Sequence, residues 1–182
     1  MSKKPPKSSS NPWLEGLQTI GMSLILAFGI RQFVAEARFI PSGSMEPTLQ
    51  IDDRLVVEKI SYHFNPPERG DIIVFWPPEE LTLPGTRRDA YIKRVVGLPG
   101  DTVEITEGTV FIDGQALNES YIMAPPDYQW GPEVVPAESY LVLGDNRNQS
   151  YDGHAWGFLP KENIIGRAVV RFWPPDRIGG LD

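Results

Sequence analysis

The sequence predicts a mainly β protein, with a barrel-like or coiled antiparallel sheet body and one N-terminal transmembrane helix. Three observations indicate this. Short apolar runs separated by turn residues fill the chain after residue 40, and no helical period of useful length occurs there. The 182 residues include 17 glycines and 18 prolines, which favours many turns and disfavours a helical bundle. A long uncharged segment lies near the N-terminus.

The N-terminal part divides into a polar tail and an apolar helix. Residues 1–12 contain three lysines, no acidic residue and several Ser and Pro residues, which is typical of a disordered tail. Asn11-Pro12 fits the cap and first position of a helix. Residues 16–30 carry no charge. We therefore expect a transmembrane anchor helix over residues 13–35.

Other interpretations of this segment stay open. A basic start, an apolar middle and Ala35-Glu36-Ala37 are also the pattern of a cleaved secretory signal. A buried or interfacial helix is a further alternative. The lysines before the helix and the arginines after it nearly balance, so the positive-inside rule does not by itself fix the orientation.

The remaining residues, 36–182, are predicted to form one β-rich domain. Its turns are marked by Glu107-Gly108, a hairpin signature, and by Asp113-Gly114. Loops rich in proline are expected at 64–70, 77–90 and 124–138. The predicted strands cover residues 54–60, 71–76, 91–98, 102–106, 109–112, 140–143 and 164–173.

Composition excludes several classes of site. The chain has no cysteine, so it has no disulfide, no zinc–cysteine site and no thiol nucleophile. With two histidines, a multi-histidine metal site is not expected. The net charge of −7 and the absence of a basic patch with aromatic residues disfavour nucleic acid as a partner. We expect no metal and no cofactor, and the sequence does not indicate an oligomeric state.

The segment around Ser44 has the features of a serine nucleophile. Gly43 precedes Ser44 and allows the backbone to approach a substrate closely. A serine nucleophile also needs donors for the developing oxyanion, which the Ser44 amide and the Ser42 hydroxyl could supply. Taken alone, the segment also fits an ordinary polar turn.

Lys93 is the candidate base for Ser44. It lies in an otherwise apolar predicted strand, where alternation places Lys93 and Arg94 on opposite faces. One of the two must therefore point inward if either face is buried. A lysine acts as a base only when neutral, and burial lowers its pKa. The alternative is a surface lysine that protects a sheet edge.

A third polar block, residues 144–152, could support this pair. Ser150 could accept a hydrogen bond from the Lys93 amine and orient it. His154, near Asp152 and Ser150, hints at a Ser-His-Asp set, but no G-x-S-x-G elbow accompanies it. The block taken alone also fits a polar turn. Ion pairs could brace the loop, and the candidates are Arg94, Asp145, Arg147 and Asp152.

Together, four ordered blocks resemble the bacterial type I signal peptidases (leader peptidases), a family of Ser/Lys proteases. The blocks are residues 44–49, 69–75, 91–101 and 144–157, and the similarity spans roughly residues 13–173. The resemblance implies a membrane-anchored serine endopeptidase that removes signal peptides from exported preproteins after an Ala-x-Ala site. Its implied partners are preprotein signal peptides and the lipid bilayer.

The resemblance also implies roles and a location. Ser44 matches the nucleophile, Lys93 the general base, Ser42 the oxyanion-hole serine, Ser150 the serine that orients the lysine, and Asp152 the acid supporting that loop. The implied location is a plasma or thylakoid-type membrane, with the N-terminus cytoplasmic and the catalytic domain outside or luminal. Positions matching the small S1 and S3 pockets, which would admit alanine at −1 and −3, are Ile40, Met45, Leu49, Leu55, Val74, Tyr91 and Ile92.

The chain departs from the family pattern at two places. Asn148-Gln149 stands where the family often has Asp-Asn, and Gly153-His154 replaces a frequent Ser-Arg. Bracing of the loop by an arginine is therefore not expected at position 154. Two other functions are considered. A self-cleaving repressor-type Ser/Lys protease would need a DNA-binding helical module, and a tethered β-domain without chemistry would not need the paired serines and an inward lysine.

Overall fold

The structure is a computed structural model that describes residues 11–81 and 89–181. The predicted disorder of residues 1–12 therefore falls almost entirely outside the described residues, as does much of the proline-rich loop predicted at 77–90. The chain begins with a long helix, and the body that follows is formed mainly of antiparallel strands.

Helix α1 (Pro12–Gly29) continues as a π-helical segment to Val34. Asn11 caps its start, because its side chain accepts a backbone N–H two residues on at 3.2 Å. The hydroxyls of Thr19 and Ser23 donate to carbonyls four residues earlier, so they are satisfied inside the helix. None of the residues of α1 is buried. The 23 residues from Pro12 to Val34 are long and apolar enough to cross a membrane.

The larger sheet is curled and has eight antiparallel strands. These are β1 (Ala35–Phe39), β2 (Arg54–Glu58), β3 (Ile72–Phe75), β4 (Tyr91–Gly97), β9 (Ser139–Leu143), β10 (Leu159–Pro160), β11 (Ile164–Trp173) and β12 (Gly179–Gly180). Their order is β1-β2-β11-β3-β4-β9-β10, with β12 paired to β11. Strand β4 thus lies inside the sheet, between β3 and β9.

A smaller sheet has four antiparallel strands. These are β5 (Thr102–Thr106), β6 (Thr109–Ile112), β7 (Gln115–Ala116) and β8 (Trp130–Val134), in the order β7-β6-β5-β8. The predicted turn between β5 and β6 has positive φ at both residues, 50° at Glu107 and 74° at Gly108, as two-residue hairpins require.

The predicted mainly β fold is confirmed, with differences at particular elements. Strand β8 lies inside the segment 124–138 that the sequence predicts as a loop. Strand β1 begins at Ala35, directly after the helical segment. The predicted helix, which ends at residue 35, therefore extends one residue too far. After residue 40, one short α-helix is found in the described part of the chain, α2 (Gly153–Trp156).

The hydrophobic core divides into three clusters of buried side chains. One lies beneath the segment between β1 and β2 and contains Ile40, Met45 and Leu49. A second joins the two sheets near Gly97, where a Cβ atom would lie 2.9 Å from side chains of Leu141 and Val135. A third packs β3, β4 and β9 together. The first and third clusters fix the two segments that carry Ser44 and Lys93.

Candidate active site

Ser44 lies in the segment between β1 and β2, in a single 3-10 turn (Gly43–Met45). The Met45 side chain has no exposed surface and anchors this turn in the first core cluster. Further along, the carbonyl of Asp53 accepts the amide of Ile40 at 3.0 Å, which closes the base of the segment. Ser44 itself is half-buried and faces a cleft.

Strand β4 brings Lys93 to Ser44. The Nζ atom of Lys93 lies 2.8 Å from Oγ of Ser44, across 49 residues of sequence. Lys93 also donates to the carbonyl of Ile92 at 2.8 Å. Both Lys93 and Arg94 are buried, with 5% and 3% of their surfaces exposed. Both faces of β4 are therefore covered, and the surface-lysine alternative does not describe this residue.

The electrostatic surroundings favour a neutral Lys93. Burial lowers the pKa of the Lys93 amine from 10.5 to about 8, because the charged form loses its hydration. The carboxylates of Asp152 and Asp145 act in the opposite direction and limit this decrease. Lys93 therefore combines a short contact to a hydroxyl with a neutral form that is accessible at mildly alkaline pH.

The turn after β9 closes over the Ser44 segment. The amide of Asn146 donates to the Ser44 carbonyl and its side chain donates to the Gly43 carbonyl, both at 3.1 Å. Gly144 lies so close that a Cβ atom there would be 2.4 Å from the Ser44 carbonyl oxygen and 2.3 Å from Oγ of Ser150. A glycine is therefore required at this position by close packing. No pattern in the sequence indicates the Asn146 contacts.

A buried ion pair ties this turn to β4. The guanidinium of Arg94 contacts both carboxylate oxygens of Asp145, at 2.8 and 2.7 Å, and also donates to the Gly70 carbonyl at 2.8 Å. The Thr48 hydroxyl donates to Asp145 at 2.5 Å, and the ring of Tyr121 lies 4.1 Å from the guanidinium. A single carboxylate thus connects β4, the Ser44 segment and the turn after β9.

Arg147 forms a second buried ion pair, with a partner that the sequence did not indicate. Its guanidinium contacts both oxygens of Glu119, at 3.0 and 2.5 Å, and donates to the Gly144 carbonyl at 3.1 Å. The charge partner of Arg147 is therefore on the segment after β7 and outside the polar block 144–152.

The structure does not form the expected contact between Ser150 and Lys93. Ser150 is buried, but its Oγ has no hydrogen-bond partner among the described residues. The contacts of the Lys93 amine go to Ser44 and Ile92 instead. Asp152 is fully buried and accepts the Gly144 amide at 2.7 Å, so it supports the backbone of the turn.

A cleft of about 380 Å³ lies in front of Ser44 and Lys93. Gln149 and Tyr151 also line it, and neither was identified from the sequence. Ser42 lies at its edge, is exposed, and makes no side-chain hydrogen bond within the described part of the chain. A larger groove of about 680 Å³, around Lys59 and Lys161, contains none of the predicted catalytic residues.

The predicted pocket residues fall into two groups. A cavity of about 330 Å³ adjoins the cleft, and its lining includes Ile40, Val74, Tyr91 and Ile92. The other three residues line neither cavity and lie in the core without exposed surface. They are Met45, Leu49 and Leu55. These three side chains can affect the shape of a pocket only indirectly, by packing beneath the residues that line it.

Among the residues that the structure describes, no group of three acidic or histidine side chains could hold a metal ion. The arrangement brings a hydroxyl and an amine into contact at the cleft. A buried amine in contact with a half-buried serine in an open cleft is suited to nucleophilic catalysis.

A sequence model of the family described as signal peptidase, peptidase S26, matches residues 13–173. The chain belongs to this family. The match includes α1, the Ser44 segment, β4 and the turn after β9, so all the elements of the candidate site lie inside it. Family membership accounts for the order of the four sequence blocks.

Curated relatives extend over nearly the whole chain. "Signal peptidase I" from Leptolyngbya laminosa is 66% identical over 177 residues, which cover 97% of this chain and 87% of the relative. "Probable signal peptidase I-2" from Synechocystis sp. is 57% identical over 180 residues, covering 99% and 82%. "Thylakoidal processing peptidase 1, chloroplastic" from Arabidopsis thaliana is 45% identical over 152 residues, covering 81% of this chain and 45% of that protein.

Proposed function

We propose that this chain is a membrane-anchored serine endopeptidase that removes signal peptides from exported preproteins after an Ala-x-Ala site. The observation that carries the proposal is the 2.8 Å contact between the buried Lys93 amine and the Ser44 hydroxyl. Membership of the signal peptidase family and the high identity to "Signal peptidase I" of Leptolyngbya laminosa support the substrate class.

The proposed reaction begins with a neutral Lys93. Its nitrogen lone pair accepts the Ser44 hydroxyl proton while Oγ attacks the scissile carbonyl carbon. The carbonyl oxygen becomes an oxyanion, and the Ser44 amide and the Ser42 hydroxyl donate hydrogen bonds to it. The Lys93 ammonium then gives its proton to the leaving amine, so the peptide bond breaks and an acyl-enzyme ester on Ser44 remains.

Hydrolysis of the ester repeats the same proton transfers with water. Neutral Lys93 accepts a proton from the water molecule as its oxygen attacks the ester carbonyl, and the lysine returns this proton to Oγ of Ser44. The products are a new carboxyl end on the signal peptide and the free hydroxyl. Because neutral Lys93 is needed in both halves, activity should rise with pH through about 8.

The specificity for small residues is proposed to come from the cavity next to the cleft. Four of the predicted pocket residues line it together with the charged residues Arg38 and Asp89. These four are Ile40, Val74, Tyr91 and Ile92, of which Tyr91 and Ile92 also line the cleft with Ser44 and Lys93. We propose that this cavity of about 330 Å³ receives the alanine side chains at −1 and −3.

The proposed location is a plasma or thylakoid-type membrane that α1 crosses once. The exposed apolar surface of α1 and its length support the anchor. We propose a cytoplasmic N-terminus and a catalytic domain on the outer or luminal side, where exported preproteins emerge. A cut after Ala37 would divide β1, whose residues Ala35–Phe39 pair with β2, so the cleaved-signal alternative would damage the sheet.

Mass-spectrometric mapping of the cleavage products of a model preprotein tests this function. Wild type should produce one cut after Ala-x-Ala, and Ser44→Ala and Lys93→Ala should each leave the preprotein intact while their circular dichroism stays that of wild type. A normal rate in either variant would show that the residue has been assigned wrongly. A lack of any cut by wild type would favour a binding module.

A further inference from the structure

The buried carboxylate of Asp152 has a second partner besides the Gly144 amide. Its Oδ1 lies 2.7 Å from Nδ1 of His154 and accepts the His154 amide at 3.2 Å. Asp152 has no exposed surface, whereas 24% of the His154 side chain is exposed. A fully buried carboxylate is costly unless it is paired and hydrogen-bonded, so the imidazole is a substantial part of what stabilises Asp152 in place.

The imidazole is held from its other side by Tyr128. The two rings stack with centroids 4.1 Å apart and an angle of 18° between their planes. The segment that carries Tyr128 is itself attached to the turn after β9 by Asn148, which accepts the Asp127 amide at 2.9 Å and donates to the Pro125 carbonyl at 3.0 Å. The His154 ring is thus fixed between a carboxylate and an aromatic face.

Gly153 accounts for the close approach of this histidine. A Cβ atom at residue 153 would lie 2.7 Å from Leu141 and 2.9 Å from the Val142 carbonyl oxygen. Helix α2 therefore packs more closely on β9 than any larger residue would permit. The Gly153-His154 pair, one of the two departures from the family pattern, brings an imidazole ring to Asp152.

The Asp152 carboxylate in turn acts on Lys93. Its negative charge favours the protonated form of the Lys93 amine, and it holds the Gly144 amide at 2.7 Å in the turn packed on Ser44. The other charged or titratable groups around this system are Asp145, which also faces Lys93, and Glu119, Asp127 and Arg147, which face Tyr128.

We propose that His154 is a positioning residue of the active site that holds Asp152, and that the charge of the side chain at this position sets how strongly Asp152 acts on Lys93. This inference rests on the Ser44–Lys93 mechanism proposed above. A neutral ring donates from Nδ1 and leaves the carboxylate charge intact. A permanent cation at this position would offset that charge and so favour the neutral, reactive form of Lys93.

Three variants of the full chain separate these effects. His154→Arg places a permanent cation beside Asp152, His154→Gln keeps a neutral donor, and His154→Ala removes both donor and ring. The control is His63→Gln, since His63 is exposed and lies away from the cleft. The assay is kcat and KM for an Ala-x-Ala peptide in detergent, from about pH 6 to about pH 10.

The expected result is an ordered shift of the pH profile. The midpoint of the rise in kcat/KM should be lower in His154→Arg than in His154→Gln by roughly half a pH unit. His154→Ala should lose kcat about tenfold with little change in KM, because a hydrogen bond to a buried charge is lost, and His154→Gln should recover most of it. His63→Gln should match wild type.

Coincident midpoints for the Arg and Gln variants, or a wild-type kcat in His154→Ala, would overturn the proposal. Should His154→Ala fail to fold in thermal denaturation, the Arg and Gln variants still decide, because both retain a donor to Asp152. Ser44→Ala measured in the same assay separates the two claims. If Ser44→Ala is inactive but the pH profiles of the His154 variants coincide, only the role of His154 is refuted. If Ser44→Ala is active, the proposed mechanism is refuted as well.

Discussion

Lys93 has two properties that oppose each other, a buried position and an ionisable amine. Burial lowers its pKa to about 8 from the ordinary 10.5. Between these values the unfolded chain binds more protons than the folded one, so stability rises with pH across this window. Below about pH 8 the folded protein carries the full cost of a desolvated ammonium group. The residue that makes Ser44 reactive therefore weakens the fold at neutral pH.

Lys93→Met should accordingly stabilise the protein while abolishing cleavage. We expect the free energy of unfolding at pH 7 to increase by roughly 1–3 kcal/mol, because a buried apolar side chain replaces a charged one. The gain should shrink as the pH rises from about 8 through 10.5, because above 10.5 the lysine of wild type is neutral in both the folded and the unfolded state. Urea denaturation at several pH values measures this, and a variant less stable than wild type at pH 7 would contradict it.

For individual residues, the sequence predicts which side chains lie at the site better than it predicts their contacts. The blocks around Ser44 and Lys93 are recognisable in the sequence, and the two side chains lie 2.8 Å apart in the structure. The partner of Arg147, Glu119, lies 28 residues away and no local pattern connects them. Likewise, the Ser150 hydroxyl has no hydrogen-bond partner in the part of the chain that the structure describes, and no local sequence pattern indicates this.

Strand β4 and the turn after β9 form the frame of the site, and the Arg94–Asp145 pair joins them. Both side chains are almost fully buried, with contacts at 2.8 and 2.7 Å. Removing one partner of such a pair leaves a buried charge without compensation. The same carboxylate binds Thr48, so the Ser44 segment also depends on this pair.

Arg94→Met should destabilise the protein by roughly 3–5 kcal/mol, and the double variant Arg94→Met/Asp145→Leu should recover a large part of that loss. Urea denaturation provides the measurement. The matched control is Lys161→Met, which breaks the exposed pair with Glu138 at 3.2 Å and should change stability by less than about 1 kcal/mol. If Arg94→Met and Lys161→Met lower the free energy of unfolding equally, burial does not make the Arg94 pair more important for stability than an exposed pair.

Strands that are marked by alternating apolar residues and a short turn in the sequence itself were predicted well. Strands β5 and β6 have the predicted bounds, because alternating apolar residues surround a Glu-Gly turn. Strand β8 was missed because Gly131 and Pro132 interrupt its pattern, and it is recruited by pairing with β5. Strand β1 was not predicted because it follows the apolar helical segment directly, with no turn to mark the boundary.

In the whole molecule, the apolar helix is firmly joined to the sheet. The amide of Lys59 donates to the Val34 carbonyl at 2.9 Å, its Nζ donates to the Arg31 carbonyl at 3.2 Å, and the same amine pairs with Glu36 at 2.7 Å. The last turn of the helical segment is therefore fixed to the edge of the catalytic body. If the proposed anchor is correct, confinement of enzyme and substrate to one membrane raises their effective concentration.

Removal of residues 1–34 should separate membrane placement from chemistry. This shortened chain keeps β1 complete, so we expect wild-type β content in circular dichroism and, on a soluble Ala-x-Ala peptide, a kcat/KM within about tenfold of the full chain. On a preprotein inserted in vesicles, kcat/KM should fall by roughly a hundredfold or more. Equal losses of kcat/KM on both substrates would show that the helix is needed to form the site and does not act by placing it at the membrane.

The rate at which Ser44 becomes acylated, followed as a function of pH in a single turnover, tests the central claim most directly. Mass spectrometry of the trapped protein should place the acyl group on the peptide containing Ser44, and the rate should rise along one titration curve centred near pH 8. Lys93→Ala should form no adduct. Acylation at another residue, a rate independent of pH, or an adduct on Ser44 in Lys93→Ala would contradict a neutral Lys93 acting as the base.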